Sequence, residues 1–281
     1  MDPEEGMNHL TAIFAEIQSS EKEKLPSSQS QGQQGEDLEL FFQSAKFKVQ
    51  DFFSGHGEPV EREVLGVKVV MISDTHGDHR SLTLPDGDIL IHAGDWTCYG
   101  QREHAEDFND WLGTLPHTHK IVVNGNHESN SMWKRDTPAI LSNATFLCQT
   151  STCVSIRGKE VKIFGTNFFW PTAYSPHPFL SQIPSDVDIL VTHGPPFELA
   201  DKGKGCEYLQ KKCLALAYGG VKGLTIEEER PSVGGKLRLV VCGHIHYAYG
   251  VDDSLPGITV VNAASCGNER KVSHEPIVLH L

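Results

Sequence analysis

Apolar residues along this chain gather in short unbroken runs. Five of them read VKVVMI (67–72), DILIHA (88–93), HKIVV (119–123), VDILV (187–191) and LRLVV (237–241). They are rich in Val, Ile and Leu and lack the alternation of a half-exposed strand. This predicts strands buried on both faces, as in a parallel sheet. Between the second and third, REHAEDFNDWLGTLP (102–116) puts Phe108, Trp111, Leu112 and Leu115 on one face, a helix that Pro116 ends. Met132 to Leu141 reads as a shorter, weaker helix interrupted by Pro138. CVSIRGKEVKIFGT (153–166) turns at Arg157-Gly158-Lys159 and predicts a β-hairpin. ITVVNAASC (258–266) and EPIVLHL (275–281) predict two closing strands.

Strands alternating with helices imply one α/β unit, assigned to residues 38–281, a β-sandwich with helices on both outer faces. Residues 1–37 form a leader. Its Leu10, Ile13, Phe14 and Ile17 have amphipathic-helix spacing, followed by the polar linker SSEKEKLPSSQSQGQQGED. That helix docks on the domain, the favoured expectation, or meets a protein partner, or has little role. LELFFQSAKFKVQDFF (38–53) is too apolar for a linker and leads into the domain.

Each of the five runs ends in metal-ligand chemistry: Asp74 and His76, then Asp95, then Asn126 and His127, then His193, then His244 and His246. Neither Asp nor His is at home at the end of a buried strand without a partner. Ligands of α/β sheets bind just outside the carboxyl ends of the strands, where these clusters fall. The alternative for any single block is structural, with Asp74 or Asp95 capping a following helix and His76 or His127 sitting in a loop. Five together predict a shared metal centre. Carboxylate, imidazole and amide donors without cysteine suit Mn, Fe, Zn or Mg, and exclude a Cys-type structural zinc site. The donors exceed the needs of one ion and fill two sites if a carboxylate bridges.

In these blocks, Asp74-Thr75-His76, Gly94-Asp95, Gly125-Asn126-His127-Glu128, His193 and Gly243-His244-Ile245-His246, the sequence resembles the calcineurin-like metallophosphoesterase superfamily. Within it, PDGDILIHAGDWT, VTHGPP and GHIH-x-x-YG are similar to the metallophosphoesterase-domain branch, itself related to class III cyclic nucleotide phosphodiesterases. The resemblance implies a four-layer α-β-β-α sandwich and a cofactor of two divalent metal ions. Asp74, His76 and His246 would bind the first, Asn126, His193 and His244 the second, and Asp95 would bridge. His127 would act with Asp95 and Asn126 as the catalytic group, a general acid or charge stabiliser kept protonated by a nearby carboxylate. The implied reaction is hydrolysis of a phosphoester by in-line attack of a metal-bridging hydroxide. The branch points to a phosphodiesterase. A phosphomonoesterase, a phosphoprotein phosphatase or an inactive metal-binding scaffold are the alternatives. Pro195-Pro196 after His193, and the length of 201–236, depart from the usual pattern and bear on the substrate wall.

Other residues divide differently. His92, inside a strand, reads as a hydrogen-bonded core residue, and His79 as a solvent-exposed loop histidine. His104, His117, His119 and His177 have no partner at ligand spacing. Trp96 and Trp170 either line the cleft or pack beneath its loops. The segment 201–235 carries Lys202, Lys204, Lys211, Lys212 and Lys222, and Cys206–Leu216 suggests a helix. It is either a lid that clamps phosphate or a solvated surface.

A net charge of −13 disfavours long nucleic acid and membrane surfaces, and the branch resemblance implies a small phosphoester, such as a nucleotide, as substrate. Seven scattered cysteines read as reduced, with a Cys148–Cys153 pair the minor reading, and the expected location is cytoplasmic or nuclear.

Overall fold

The computed structural model describes residues 65–167, 179–218, 235–255, 257–267 and 271–281, which belong to one compact unit. The leader helix, the stretch 38–53, Trp170, His177 and Lys222 lie outside the described residues.

The first sheet takes its strands nearly in chain order. β1 (Lys68–Ile72), β2 (Ile89–His92), β3 (His119–Val122) and β4 (Thr145–Phe146) are parallel neighbours. The second sheet opens with β5 (Thr150–Ile156) and β6 (Lys159–Thr166), the expected hairpin. Its turn is made by Arg157 at φ 51° and Gly158 at φ 79°, two left-handed residues of the kind that match strand twist. β7 (Ile189–Thr192), β8 (Leu239–Cys242) and β10 (Thr259–Asn262) continue in parallel, with β9 (Gly250–Asp252) antiparallel on the edge. β11 (Ile277–His280) returns to the first sheet, antiparallel to β1.

Alternate residues of each run face opposite layers. Val69, Met71, Ile89, Ile91, Ile121, Ile163, Ile189, Leu239 and Val241 point inward and form the core between the sheets. Val70, Ile72, Leu90 and Val122 point outward and pack under Phe108, Trp111 and Leu112 of α1 (Arg102–Thr114). Both faces are therefore dry, which explains why these runs do not alternate with polar residues. α1 stops at Thr114 with Leu115 extended, the conformation that a following proline imposes.

Two short helices follow β3: α2 (Asn126–Ser129) and α3 (Thr137–Ile140). Pro138 does not interrupt a helix from Met132. It lies in the first turn of α3, where its missing N–H is harmless, after a separate 3-10 turn at Lys134–Asp136. α4 (Glu207–Tyr218) is the helix expected within 201–235 and buries Leu209, Cys213, Leu214 and Leu216. With helices over both sheets, the fold is the α/β sandwich expected.

The sheets meet at one end. Ser73, just past β1, bridges Ala264, just past β10, and the Ser265 N–H donates to Ser73 O at 2.7 Å. That end is where the five blocks emerge.

Candidate metal centre

All five loops leave the carboxyl ends of β1, β2, β3, β7 and β8, and backbone bonds tie the first to the second and the fourth to the fifth. Asp74 N–H donates to Gly94 O at 2.9 Å, His76 N–H to Asp95 O at 3.0 Å, and Gly243 N–H to His193 O at 2.9 Å. The glycines permit these approaches. A Cβ on Gly125 would strike the Asp95 carboxylate, and one on Gly243 the carboxylate of Asp74 and the hydroxyl of Ser73.

Four proposed ligands occupy left-handed backbone: Asp74 (φ 51°), His76 (φ 46°), Asp95 (φ 53°) and His244 (φ 66°). Non-glycine residues are held there at an energetic cost only where the surroundings over-determine them, commonly at functional sites. Nor do the two aspartates serve as helix caps. α1 is preceded by Gln101 and the 3-10 turn after β1 by Asp78.

The donors converge in two sets. Asp74, His76 and His246 offer ligand atoms within 4.8 Å of one another, as do Asp95, His193 and His244. In the first, Nε2 of His246 lies 3.1 Å from Nε2 of His76 and 3.2 Å from Oδ1 of Asp74. Donors about 2.0–2.2 Å from a zinc-sized ion sit roughly 3–3.5 Å apart, so this spacing suits a cation between them. Nδ1 of His76 is buried without a hydrogen-bond partner, a second sign that this imidazole is placed for something other than a protein contact. In the second set, Nε2 of His193 lies 3.3 Å from Asp95 Oδ2 and 3.2 Å from Asn126 Oδ1, so the amide joins the donors. Nδ1 of His193 is held by Ala93 O at 2.7 Å and Nδ1 of His246 by Gly267 O at 3.2 Å, the backbone partners that orient ligand imidazoles. The residues fit a pair of divalent cations.

Asp95 lies between the sets, since it also groups with His76 and His127 within 4.8 Å. Nε2 of His127 is 3.7 Å from Asp95 Oδ2, while its Nδ1 accepts the Tyr99 N–H at 2.6 Å. With Nδ1 an acceptor, the neutral ring carries its proton on Nε2. This differs from the imidazolium that sequence suggested, which would set two N–H donors against each other.

Electrostatics follow from burial and pairing. Burial pushes His76 and His244 down to about 4. Burial also opposes charge on His193, but Asp95 and Asp74 outweigh it and raise the ring to about 9. Burial alone would raise Asp74 and Asp95, yet His193 and its neighbours hold both carboxyls low.

The remaining histidines divide as structure dictates. His92 is buried, its Nε2 2.9 Å from Thr75 Oγ1. His79 is not the exposed loop residue expected. It is fully buried, its ring 5.3 Å from Phe108 and 5.0 Å from Trp111, with Nε2 3.0 Å from Asp107. The covering helix is remote in sequence, so local composition gave no sign of it. Trp96 packs beneath the loops, stacked on Phe108 at 5.0 Å. Lys202 and Lys204 are exposed. All seven cysteines are free, Cys148 and Cys153 included.

Three site residues had no sequence signal of role. Glu128 is buried beneath Asp95, Tyr99 stacks on His127 at 5.3 Å, and Asn262 holds Gly243 O and Ile245 O with its Nδ2. Only Glu128 was visible, as the last letter of its block.

An α/β sandwich presenting clustered His and Asp donors at the carboxyl ends of its strands defines a metal-binding hydrolase scaffold. The chain belongs to the calcineurin-like phosphoesterase family, whose profile matches residues 67–248. A UPF0046 protein of Caenorhabditis elegans is 32% identical over 76% of this chain and 75% of its own length. Metallophosphoesterase domain-containing protein 1 of Homo sapiens is 32% identical over 76% of this chain and 71% of its own. The family is metal-dependent, and among the described residues no helix is long and apolar enough to cross a membrane.

Proposed function

We propose that this protein is a two-metal phosphodiesterase acting on a small phosphoester. The observation that carries the reading is the position of Asp95, whose carboxylate groups with His76 on one side and with His193 and His244 on the other. Two divalent ions so placed supply a nucleophilic water at neutral pH and positive charge for the phosphoryl oxygens.

The chain's own groups do the rest. Asp74, His76 and His246 hold one position, Asn126, His193 and His244 the other, and Asp95 spans them. His127 presents Nε2–H beside Asp95, where it stabilises charge on the leaving oxygen or a phosphoryl oxygen by a hydrogen bond. No protein nucleophile is required. The diester preference, with a nucleotide as one candidate, rests on the motif style of the branch. The ions are drawn from Mn, Fe, Zn and Mg, and the setting is intracellular. Exposed Lys202 and Lys204 are proposed as a phosphate clamp, and a protein partner is proposed for the leader helix.

The test is hydrolysis of bis-p-nitrophenyl phosphate beside p-nitrophenyl phosphate, after chelation and resupply of Mn, with Asp95→Asn as control. Metal-dependent diester turnover that the substitution abolishes supports the reading. Turnover of the monoester alone moves it to a phosphomonoesterase. Full activity in Asp95→Asn removes the bridging role.

A further inference from the structure

Glu128 closes the Gly125–Glu128 block, and the reaction above gives it nothing to do. Its side chain is nevertheless fully buried, and four donors converge on it. Oε2 accepts the backbone N–H of Asp95 at 3.0 Å and of Gly125 at 2.9 Å. Oε1 accepts the Thr97 N–H at 2.8 Å and the Thr97 hydroxyl at 2.6 Å. A buried carboxylate is ordinarily matched by a cation. Here oriented backbone dipoles and one hydroxyl fill that place. Both oxygens serve as acceptors, which an amide of the same shape cannot match, since one of its ends carries only donors.

The pairing on Oε2 is the informative one. It holds in a single contact the loop after β2, which carries Asp95, and the loop after β3, which carries Asn126. These two side chains both belong to the second donor set. Among the described residues, none of Asp74, His76 and His246 bonds to Glu128. A further tie runs the same way, since Asp95 Oδ1 accepts the His127 N–H at 2.9 Å. The loops are also in close contact, since a Cβ on Gly125 would strike the Asp95 carboxylate and backbone nitrogen.

We infer that Glu128 is a positioning residue for the second metal site: its carboxylate fixes the separation of Asp95 and Asn126 while touching neither ion. The inference rests on the two-ion reading. It predicts selectivity, because loss of the clamp frees two donors of the second position, Asp95 and Asn126, whereas the first position keeps Asp74, His76 and His246 and shares only Asp95.

The experiment counts Mn bound by the full chain, wild type against Glu128→Gln, by titration calorimetry and elemental analysis, with the spin-coupled manganese EPR signal as a second readout. The expected result is two ions in wild type. In the variant the tighter site is kept, the weaker loses about 10–100-fold in affinity, as orienting partners of ligands typically contribute, and the coupled signal disappears. Thr97→Val, which removes one donor and keeps the N–H, gives a smaller loss at the same site and serves if Glu128→Gln does not fold. Wild-type affinity at both sites in the variants overturns the inference, and equal loss at both overturns its selectivity. A single ion in wild type instead overturns the two-ion reading, whatever the variants do.

Discussion

The backbone N–H of Tyr99 donates to Nδ1 of His127 at 2.6 Å, and the Tyr99 ring stacks on the same imidazole. One residue therefore fixes both the tautomer and the plane of the proposed hydrogen-bond donor. His127→Gln removes the positioned Nε2–H and spares the metal ligands. Its kcat should fall by about 10²–10⁴-fold, the range for a positioned proton donor, with metal content unchanged. Metal content that falls in parallel would make His127 a ligand instead.

Tyr99 itself sits at φ 57° with its side chain 69% exposed, an unfavourable backbone for an aromatic residue. Tyr99→Gly keeps the N–H and accepts that backbone without strain. The expected outcome is an unchanged or raised melting temperature together with lowered kcat. A fall in melting temperature with unchanged kcat would make the ring structural.

His193, raised to about 9 by Asp95 and Asp74, is an imidazolium at pH 7.5 in the metal-free protein. An imidazole ligand must be neutral, so metal loading expels that proton. Calorimetric titration with Mn at pH 7.5, in two buffers of different ionisation heat, should report release of at least about one proton. Affinity should rise with pH up to about 9. A titration independent of buffer would contradict this charge state.

Acid should weaken the metal-free fold through its buried histidines, against the opposite contribution of Glu128, which burial and Asp95 push up to about 7. Burial holds His92 at about 3 and His79 at about 4, against an ordinary 6.5. Between those values and 6.5 the unfolded chain binds more protons, so stability falls as pH falls. For His92 alone the loss at pH 5 is about 2 kcal/mol. Urea unfolding of chelated protein at pH 7.5 and pH 5 should show it, and His92→Gln should shrink the difference. Equal shrinkage is not expected from His119→Gln, on the partly exposed start of β3.

Gly243→Ala should weaken Mn binding by tenfold or more, because its Cβ displaces the Asp74 carboxylate, and overpacking should add about 1–3 kcal/mol of destabilisation. Gly158→Ala is the control. It strains a φ of 79° in open space, so stability alone should suffer.

Sequence revealed the strands well, because runs buried on both faces carry no competing polar signal. It revealed the donors for the same reason: Asp74 or His193 at the end of such a run has few structural excuses. The hairpin was legible from Arg157-Gly158. What escaped was tertiary. His79 is buried by a helix remote in sequence. Pro138 was read as a breaker because the turn before it was not anticipated. The left-handed backbone of Asp74, His76, Asp95 and His244 was not anticipated, since the residue that most signals it, glycine, is absent from these positions. Glu128 looks like any surface glutamate until two loops close over it.

The bridge between Ser73 and Ala264 brings together sheets that share no strand. Neither proposed donor set belongs to one sheet: Asp74 and His76 come from the first and His246 from the second, Asp95 and Asn126 from the first and His193 and His244 from the second. Each ion would thus be a rivet through a seam. On the two-ion reading neither proposed set is complete within one sheet, and occupancy of both positions would report that the two sheets have folded and closed.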